Sequence, residues 1–266
     1  MKLTEIWIYP VKSLGGIRVN KATVLGKGLL YDRRYMIVDE NNQFITQRVY
    51  PELALFKLSF HDSGFLITHN NKSLIIPFEP LHTENQKAVT IWEDTVQARE
   101  LGESFNNWFS AQLNKTVKLV YFPEENQRRV DTQYAKNNEQ VSLADGYPYL
   151  IIGQASLDDL NTRLKDPVPM NRFRPNFVFD GGKPFEEDTW KEFTVGTAHF
   201  KGLKLCARCV LTTVNQDTGK PGTEPLATLS KYRKVGSKVN FGQNAVTMES
   251  NKEVEVGNEI EVVSFQ

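Results

Sequence analysis

Cys206 and Cys209 stand three apart in residues 202–219, GLKLCARCVLTTVNQDTG, and the chain has no other cysteine. Thiols at that spacing leave four chemistries open. A thioredoxin-like redox pair sits where a strand meets a helix N-terminus, whose dipole lowers the thiol pKa. Here the run VLTTV follows, rich in β-branched residues that resist a helix. A structural zinc site needs four closed ligands. The pair supplies two, and His61, His69, His82 and His199 form no second paired cluster. Free cysteines also pack as small hydrophobes, which suits Cys206 after the strand-like GLKL. The fourth reading is a single thiolate on a soft metal whose other ligands come from a cofactor. Arg208 would favour the anionic form of a neighbouring sulfur. This last reading requires an anion pocket elsewhere in the chain.

Several basic residues could build that pocket. YPVKSLGG puts Lys12 and Ser13 between an apolar strand and Gly15-Gly16, where a point charge, a hydroxyl and flexible amides suit a phosphate. LYDRRYMIV places Asp32, Arg33 and Arg34 at the mouth of an apolar strand, and FITQRVYP adds Arg48. NRFRPNF alternates Arg172 and Arg174 around Phe173, which predicts one strand face shared by the two arginines. SLADGYPYLIIG sets Asp145 before a Gly-Tyr-Pro turn and a buried strand, where it could cap the turn, pair with an arginine or accept bonds from a heterocycle. None of these stretches matches a Walker A or dinucleotide fingerprint.

The elements that must position these residues are short strands. LTEIWIYPV, KATVLGKGLL, and RRYMIVDENNQFITQ as a hairpin turning at DENN open a run of about 100 residues that reads as nearly all β. LGESFNNWFSAQLN then spaces its apolar residues as a helix. RRVDTQYAKNNEQ reads as a polar surface loop, YPYLIIG as a strand, and ASLDDLNTRLK as a helix with Ser156 at its N-cap. FTVGTAHFKGLKLCARCVLTTVN predicts two strands with the cysteines in or beside a connection, and EPLATLSKYRK a short helix. The expected fold class is mainly β with short helices (α+β), in two domains, 1–120 and 121–266, each built on a small barrel or strongly bent sheet.

Lys+Arg and Asp+Glu both count 32 in 266 residues, so the formal net charge is zero. A balanced chain lacks the basic excess that general nucleic-acid binding needs. The N-terminus MKLTEIWIYPVKS has no apolar signal core, and no run of roughly 18 apolar residues occurs. The expectation is a soluble cytoplasmic protein with no nucleic-acid or membrane partner.

Taken in order, IYPVKSLGG, GLLYDRRYMIVD, FITQR, LADGYPYLIIGQASLDDLN, RFRPNFVF, CARCVLTTVNQDTG and FGQN resemble the MOSC-domain proteins that carry an N-terminal MOSC β-barrel domain. The resemblance spans nearly the whole chain and is nearest to bacterial molybdenum-cofactor N-hydroxylamine reductases and the mitochondrial amidoxime-reducing component. It implies a molybdenum-molybdopterin cofactor with Cys209 as the protein's metal ligand and Cys206 beside the site. It implies that Lys12 and Ser13 hold the cofactor's phosphate end and that Arg33 and Arg174 contact the cofactor. Asp145, Gly146 and Tyr147 stand where the family lines the pterin. Ala207 and Arg208 lead to the metal ligand, and Asn244 falls at a further position near the cofactor. The sequence departs from the mitochondrial members at Gly146 and Tyr147 (small hydroxyl residues there), at Asn244 (an aromatic hydroxyl) and at Asn215 (an acid).

The implied function is an oxidoreductase that reduces N-hydroxylated small molecules: hydroxylamines, amidoximes and N-hydroxylated bases. Some bacterial relatives append a cysteine-rich ferredoxin-like domain. Both cysteines here belong to one motif, so the expected electron source is a separate ferredoxin- or flavoprotein-type partner. Asp145 is the candidate catalytic acid, on condition that it lies near the metal and that its pKa is raised. The alternative is a non-catalytic cofactor carrier or a sulfur-transfer binding protein.

Overall fold

The computed structural model describes residues 1–80 and 86–266. The chain is mainly strands with three short α-helices, as the turn-punctuated apolar runs require. The largest sheet runs, from one edge, through Ile260–Phe265, Trp190–Val195, Ala198–Ala207, Lys238–Thr247, Tyr149–Gly153, Phe177–Asp180, Lys2–Ile8 and Ile17–Val19. Neighbours in it are antiparallel except Tyr149–Gly153 and Phe177–Asp180. A parallel pair needs a crossover, and the helix Gln154–Thr162 lies within this one.

A second sheet orders Tyr35–Asp39, Val117–Tyr121, Asp94–Glu100 and Gln86–Ile91. Helix Glu103–Leu113 links its last two strands in sequence, and its Phe109 is buried. Lys57–His61, Gly64–His69 and Lys72–Pro77 form a meander of their own. The two halves of the chain are laced together. Strand Lys2–Ile8 pairs with Phe177–Asp180, and Lys252–Glu255 pairs back onto Lys21–Leu25. One core cluster accordingly joins Leu3, Ile37, Phe65 and Phe109 to Tyr149, Phe177 and Trp190. Among the described residues, no helix is long and apolar enough to cross a membrane.

The structure differs from the sequence reading at several elements. The DENN hairpin has one strand limb. Asp39 accepts from the amides of Asn41 and Gln43, and the returning segment then splits its bonds, Phe44 to Thr90 and Ile45 to Ile37. Ser156 is inside its helix rather than capping it. Its hydroxyl donates to the buried Glu187 carboxylate, which also accepts from the Gly153 amide. Arg172 and Arg174 share no strand face. Residues Met170–Arg172 form a 3₁₀ turn, and the strand begins only at Phe177, after Pro175. The β-branched run after Cys209 is likewise a 3₁₀ turn, Val210–Thr213. The Thr212 and Thr213 hydroxyls donate back to the carbonyls of Cys209 and Val210, which offsets poor helix propensity with local bonds.

Candidate functional site

Lys12, Ser13, Arg33, Asp145, Gly146, Tyr147, Arg174, Ala207, Arg208, Cys209 and Asn244 all line one cavity of about 280 Å³. Sequence separations of more than 190 residues thus close onto one place. The lacing strands explain the convergence. Lys2–Ile8 delivers Lys12 and Ser13 beside Phe177–Asp180, whose approach carries Arg174. Ala198–Ala207 and Lys238–Thr247 are paired, which brings the cysteine segment next to Asn244.

The tight turns are held by backbone shapes that most side chains avoid. Ser13, Arg33 and Arg174 have φ of 67°, 51° and 55°. Non-glycine residues in this left-handed region cluster at functional sites, where the surroundings over-determine them. At Ser13 that support is Gln47, whose buried side-chain amide donates to the Ser13 carbonyl at 2.6 Å and exchanges bonds with Gln216. Gly15 and Gly16 are explained by close packing. The Gly15 amide is spent on the Phe56 carbonyl, and a Cβ there would lie 2.7 Å from that oxygen. A Cβ on Gly16 would lie 2.5 Å from the Tyr9 ring. They are packing glycines that let the Lys12–Ser13 turn sit close.

The cavity wall is basic. Arg33 and Arg174 place their guanidinium carbons 4.3 and 4.2 Å from the centre of the Tyr9 ring. Arg33 pairs with the buried Asp32 at 2.7 Å, and Asp32 also accepts from the Tyr9 amide. Burial works against the Arg33 charge, but Asp32 outweighs it and holds the guanidinium above its ordinary pKa. Arg174 has no such partner. Burial pulls it down to about 10, with Tyr9, Asp145 and Asp32 opposing. One of its nitrogens donates to the Leu14 carbonyl at 2.7 Å, while Nη2 is buried without a partner among the described residues. Nε of Arg48 and Nε of Arg208 are buried and unpartnered as well. Buried donors normally find acceptors. Orphaned guanidinium nitrogens on a cavity wall therefore fit an anionic ligand that brings its own oxygens.

Asp145 is the carboxylate in this wall, and three side chains converge on it. Lys12 Nζ donates at 2.5 Å, Arg48 Nη2 at 3.3 Å and Trp92 Nε1 at 3.3 Å. Burial would raise its pKa, but Lys12, Arg48 and Arg33 prevail and hold the carboxyl well below the usual range. The side chain is 58% exposed, so its charge is also hydrated. The condition for a general acid, a raised pKa, is not met at Asp145. Lys12 is correspondingly drawn down to about 8, because burial outweighs its bond to Asp145.

The cysteines are free and half-buried. Arg208 does reach a neighbouring sulfur, and that sulfur is Cys206. Nη1 lies 2.8 Å from Cys206 Sγ, and Nη2 donates to the Phe173 carbonyl. The Cys209 thiol has no hydrogen bond among the described residues, while its carbonyl is fixed by the Thr212 amide and hydroxyl. A thiol on a braced backbone with no competing partner suits a ligand to a soft metal. Arg172 braces the same loop from behind, donating to the carbonyls of Thr212, Thr213 and Glu224 at 2.8, 2.8 and 3.0 Å. Among the described residues, no group of three His, Cys, Asp or Glu side chains could hold a metal by itself. His82 of the sequence tally lies outside the described residues. The donor set of this cavity, one open thiol within a basic wall, fits a metal carried by an anionic cofactor.

Some residues of the site escaped the sequence reading. Tyr9, Gln47, Trp92 and Gln216 act through tertiary contacts that no local pattern announces. Lys204 also lines the cavity, in the strand that carries Cys206. Its signal was its place two residues before Cys206 in a strand-like run.

Residues 1–116 match the family model of the MOSC N-terminal beta barrel domain, and residues 138–261 match that of the MOSC domain. The mitochondrial amidoxime reducing component 2 of Bos taurus is 35% identical over 241 residues, covering 87% of this chain and 72% of the relative. The mitochondrial amidoxime-reducing component 1 of Homo sapiens is 32% identical over 276 residues, covering 97% and 82%. The molybdenum cofactor sulfurase of Oryza sativa subsp. japonica is 30% identical over 262 residues, covering 90% of this chain but 32% of that longer protein.

Proposed function

The chain belongs to the family of MOSC-domain proteins with an N-terminal MOSC β-barrel domain, and we propose that it is an oxidoreductase of the molybdenum cofactor that removes oxygen from N-hydroxylated small molecules. The observation that carries this reading is the cavity itself: an unencumbered Cys209 thiol inside a wall whose arginines keep buried donors unpaired. The relatives named as amidoxime-reducing components support the reaction class.

The residues divide the work as follows. Cys209 holds the metal through its thiolate, and Arg208 keeps the adjacent Cys206 sulfur engaged, so the two thiols do not compete. Lys12 and Ser13 hold the cofactor's phosphate end. Arg33 and Arg174, fixed against Tyr9, neutralise its remaining negative charge. Asp145, Gly146 and Tyr147 line the pterin, and Ala207, Arg208 and Asn244 close the site around it. Asp145 keeps Lys12 charged within a buried setting that would otherwise strip its proton. When bound, the molybdenum centre supplies two-electron oxygen-atom chemistry. Net reduction of an N-hydroxyl group to the N–H compound consumes two electrons and two protons and releases water. The electron donor in this reading is a separate redox protein. The reading keeps 1–120 as the N-terminal barrel domain and 121–266 as the MOSC domain. It is supported by the separate four-stranded sheet of Tyr35–Asp39, Val117–Tyr121, Asp94–Glu100 and Gln86–Ile91.

The test is reduction of benzamidoxime to benzamidine by purified, molybdenum-loaded protein with a chemical electron donor. Turnover supports the enzyme. Full molybdenum loading without turnover would replace it with a cofactor carrier or sulfur-transfer protein, the alternative favoured by the similarity to the sulfurase.

A further inference from the structure

Lys204 differs from every other cation of the cavity. Lys12 is bonded to Asp145 and the Leu143 carbonyl, Arg33 to Asp32, Arg48 to Asp145, Arg174 to the Leu14 carbonyl and Arg208 to Cys206 and the Phe173 carbonyl. The Lys204 ammonium has no hydrogen bond and no ion pair among the described residues, although the residue is half-buried. Its ammonium lies 4.0 Å from the centre of the Tyr134 ring and 6.0 Å from that of Tyr147. Aromatic faces hold a cation in place but leave its net charge intact.

The strand is shaped to present it. Register between Ala198–Ala207 and Lys238–Thr247 slips between Gly202 and Lys204 and again between Leu205 and Ala207. Such irregularities re-aim side chains beside active sites. Gly202 is obligatory at the first slip, because a Cβ there would sit 2.3 Å from the Trp190 carbonyl. Beyond the slip, Lys204 lies directly opposite Asn244, and both residues line the cavity. A charge that is positioned, partly desolvated and unpaired in a cleft attracts an anion.

We infer that Lys204, seated on Tyr134 and Tyr147, is a specificity-determining residue that binds the carboxylate of an anionic N-hydroxylated substrate. This rests on the reductase reading of the same cavity. The cofactor's anchors come from other segments, Lys12–Ser13, Arg33 and Arg174, so the Lys204 charge is left for the substrate. The protein then favours carboxylate-bearing N-hydroxylated compounds over neutral ones.

The experiment compares benzamidoxime with 4-carboxybenzamidoxime on the molybdenum-loaded protein and on Lys204→Met and Lys204→Arg. Loss of one charge-assisted bond predicts that Lys204→Met shifts the KM ratio of the two compounds by about tenfold against the carboxylate. Lys204→Arg retains the preference, and molybdenum content is equal in all three proteins. An unchanged ratio in Lys204→Met overturns the proposal. Loss of molybdenum in that variant also overturns it, by placing Lys204 on the cofactor. Calorimetric titration of 4-carboxybenzamidoxime separates this inference from the reaction. If the wild type reduces neither compound, the reductase reading fails. The anion site then stands or falls on whether Lys204→Met weakens binding by the same factor.

Discussion

Arg172→Met tests whether the loop behind the cysteines is braced by charge or merely packed. The guanidinium is buried and faces no carboxylate among the described residues; burial lowers its pKa. It spends its donors on the carbonyls of Thr212, Thr213 and Glu224. Hydrogen bonds from a charged group contribute about 1.5–3 kcal/mol each. Three would give an overestimate, because the substitution also relieves the desolvation of the guanidinium, a cost of several kcal/mol. Carbonyls left bare in a buried turn cost about 1–3 kcal/mol each. The net loss works out at about 3 kcal/mol, a fall in Tm of roughly 6–12 °C for a protein of this size. Methionine conserves the length and apolar stem, so packing alone predicts a much smaller change. Differential scanning calorimetry gives the stability, and metal analysis of the folded fraction gives the effect on the site. The account expects molybdenum content to fall along with Tm, since the same turn fixes the Cys209 carbonyl. A Tm within about 2 °C of wild type would refute the brace. A large fall in Tm with full molybdenum content would refute its link to the metal ligand.

Two further outcomes follow from titrating groups. Lys12 has its folded pKa depressed to about 8, and an anionic cofactor binds its protonated form. Binding therefore weakens as pH rises through about 8, by at most about a factor of ten per pH unit; molybdenum retention after gel filtration at pH 7 and pH 9.5 measures it. Lys12→Arg, which stays charged, should flatten that dependence. Glu187 is pushed up to about 7 by burial, so the folded state holds a proton that the unfolded state releases near its ordinary, lower pKa. Its contribution favours folding in acid and declines as pH rises through that interval. Glu187→Gln keeps an oxygen for the Gly153 amide and the Ser156 hydroxyl, and it should stabilise the protein above pH 7 by about 1 kcal/mol. Chemical denaturation across pH 5–8 checks the sign; a variant less stable than wild type at pH 8 would contradict it.

The strands were legible because alternation and turn chemistry are local. The helix Glu103–Leu113 was expected from spacing alone. Misreadings fell where a distant partner decides the conformation. Ser156 reads as a helix cap until Glu187 arrives to accept its hydrogen bond. Arg172 and Arg174 alternate like strand residues, yet one braces the cysteine loop and the other lines the cavity. At Gly15 and Gly16 the deciding partners are Phe56 and Tyr9, which approach too closely for a side chain. The candidate residues, ordered by the family resemblance, line one cavity. Their chemistry alone left four readings of the thiols open. What no pattern could supply was the electrostatic sign at Asp145, which depends on Lys12 and Arg48 meeting it from the other half of the chain.

The measurement that bears most directly on the central claim is molybdenum per chain, by inductively coupled plasma mass spectrometry, in wild type, Cys209→Ser and Cys206→Ser. All three are to be produced in a host that makes the cofactor. The account predicts about one molybdenum per wild-type chain, held by a single thiolate. Cys209→Ser is expected to lose nearly all of it with the fold intact, and Cys206→Ser only part. Full occupancy in Cys209→Ser, equal loss in both variants, or zinc in place of molybdenum would contradict it.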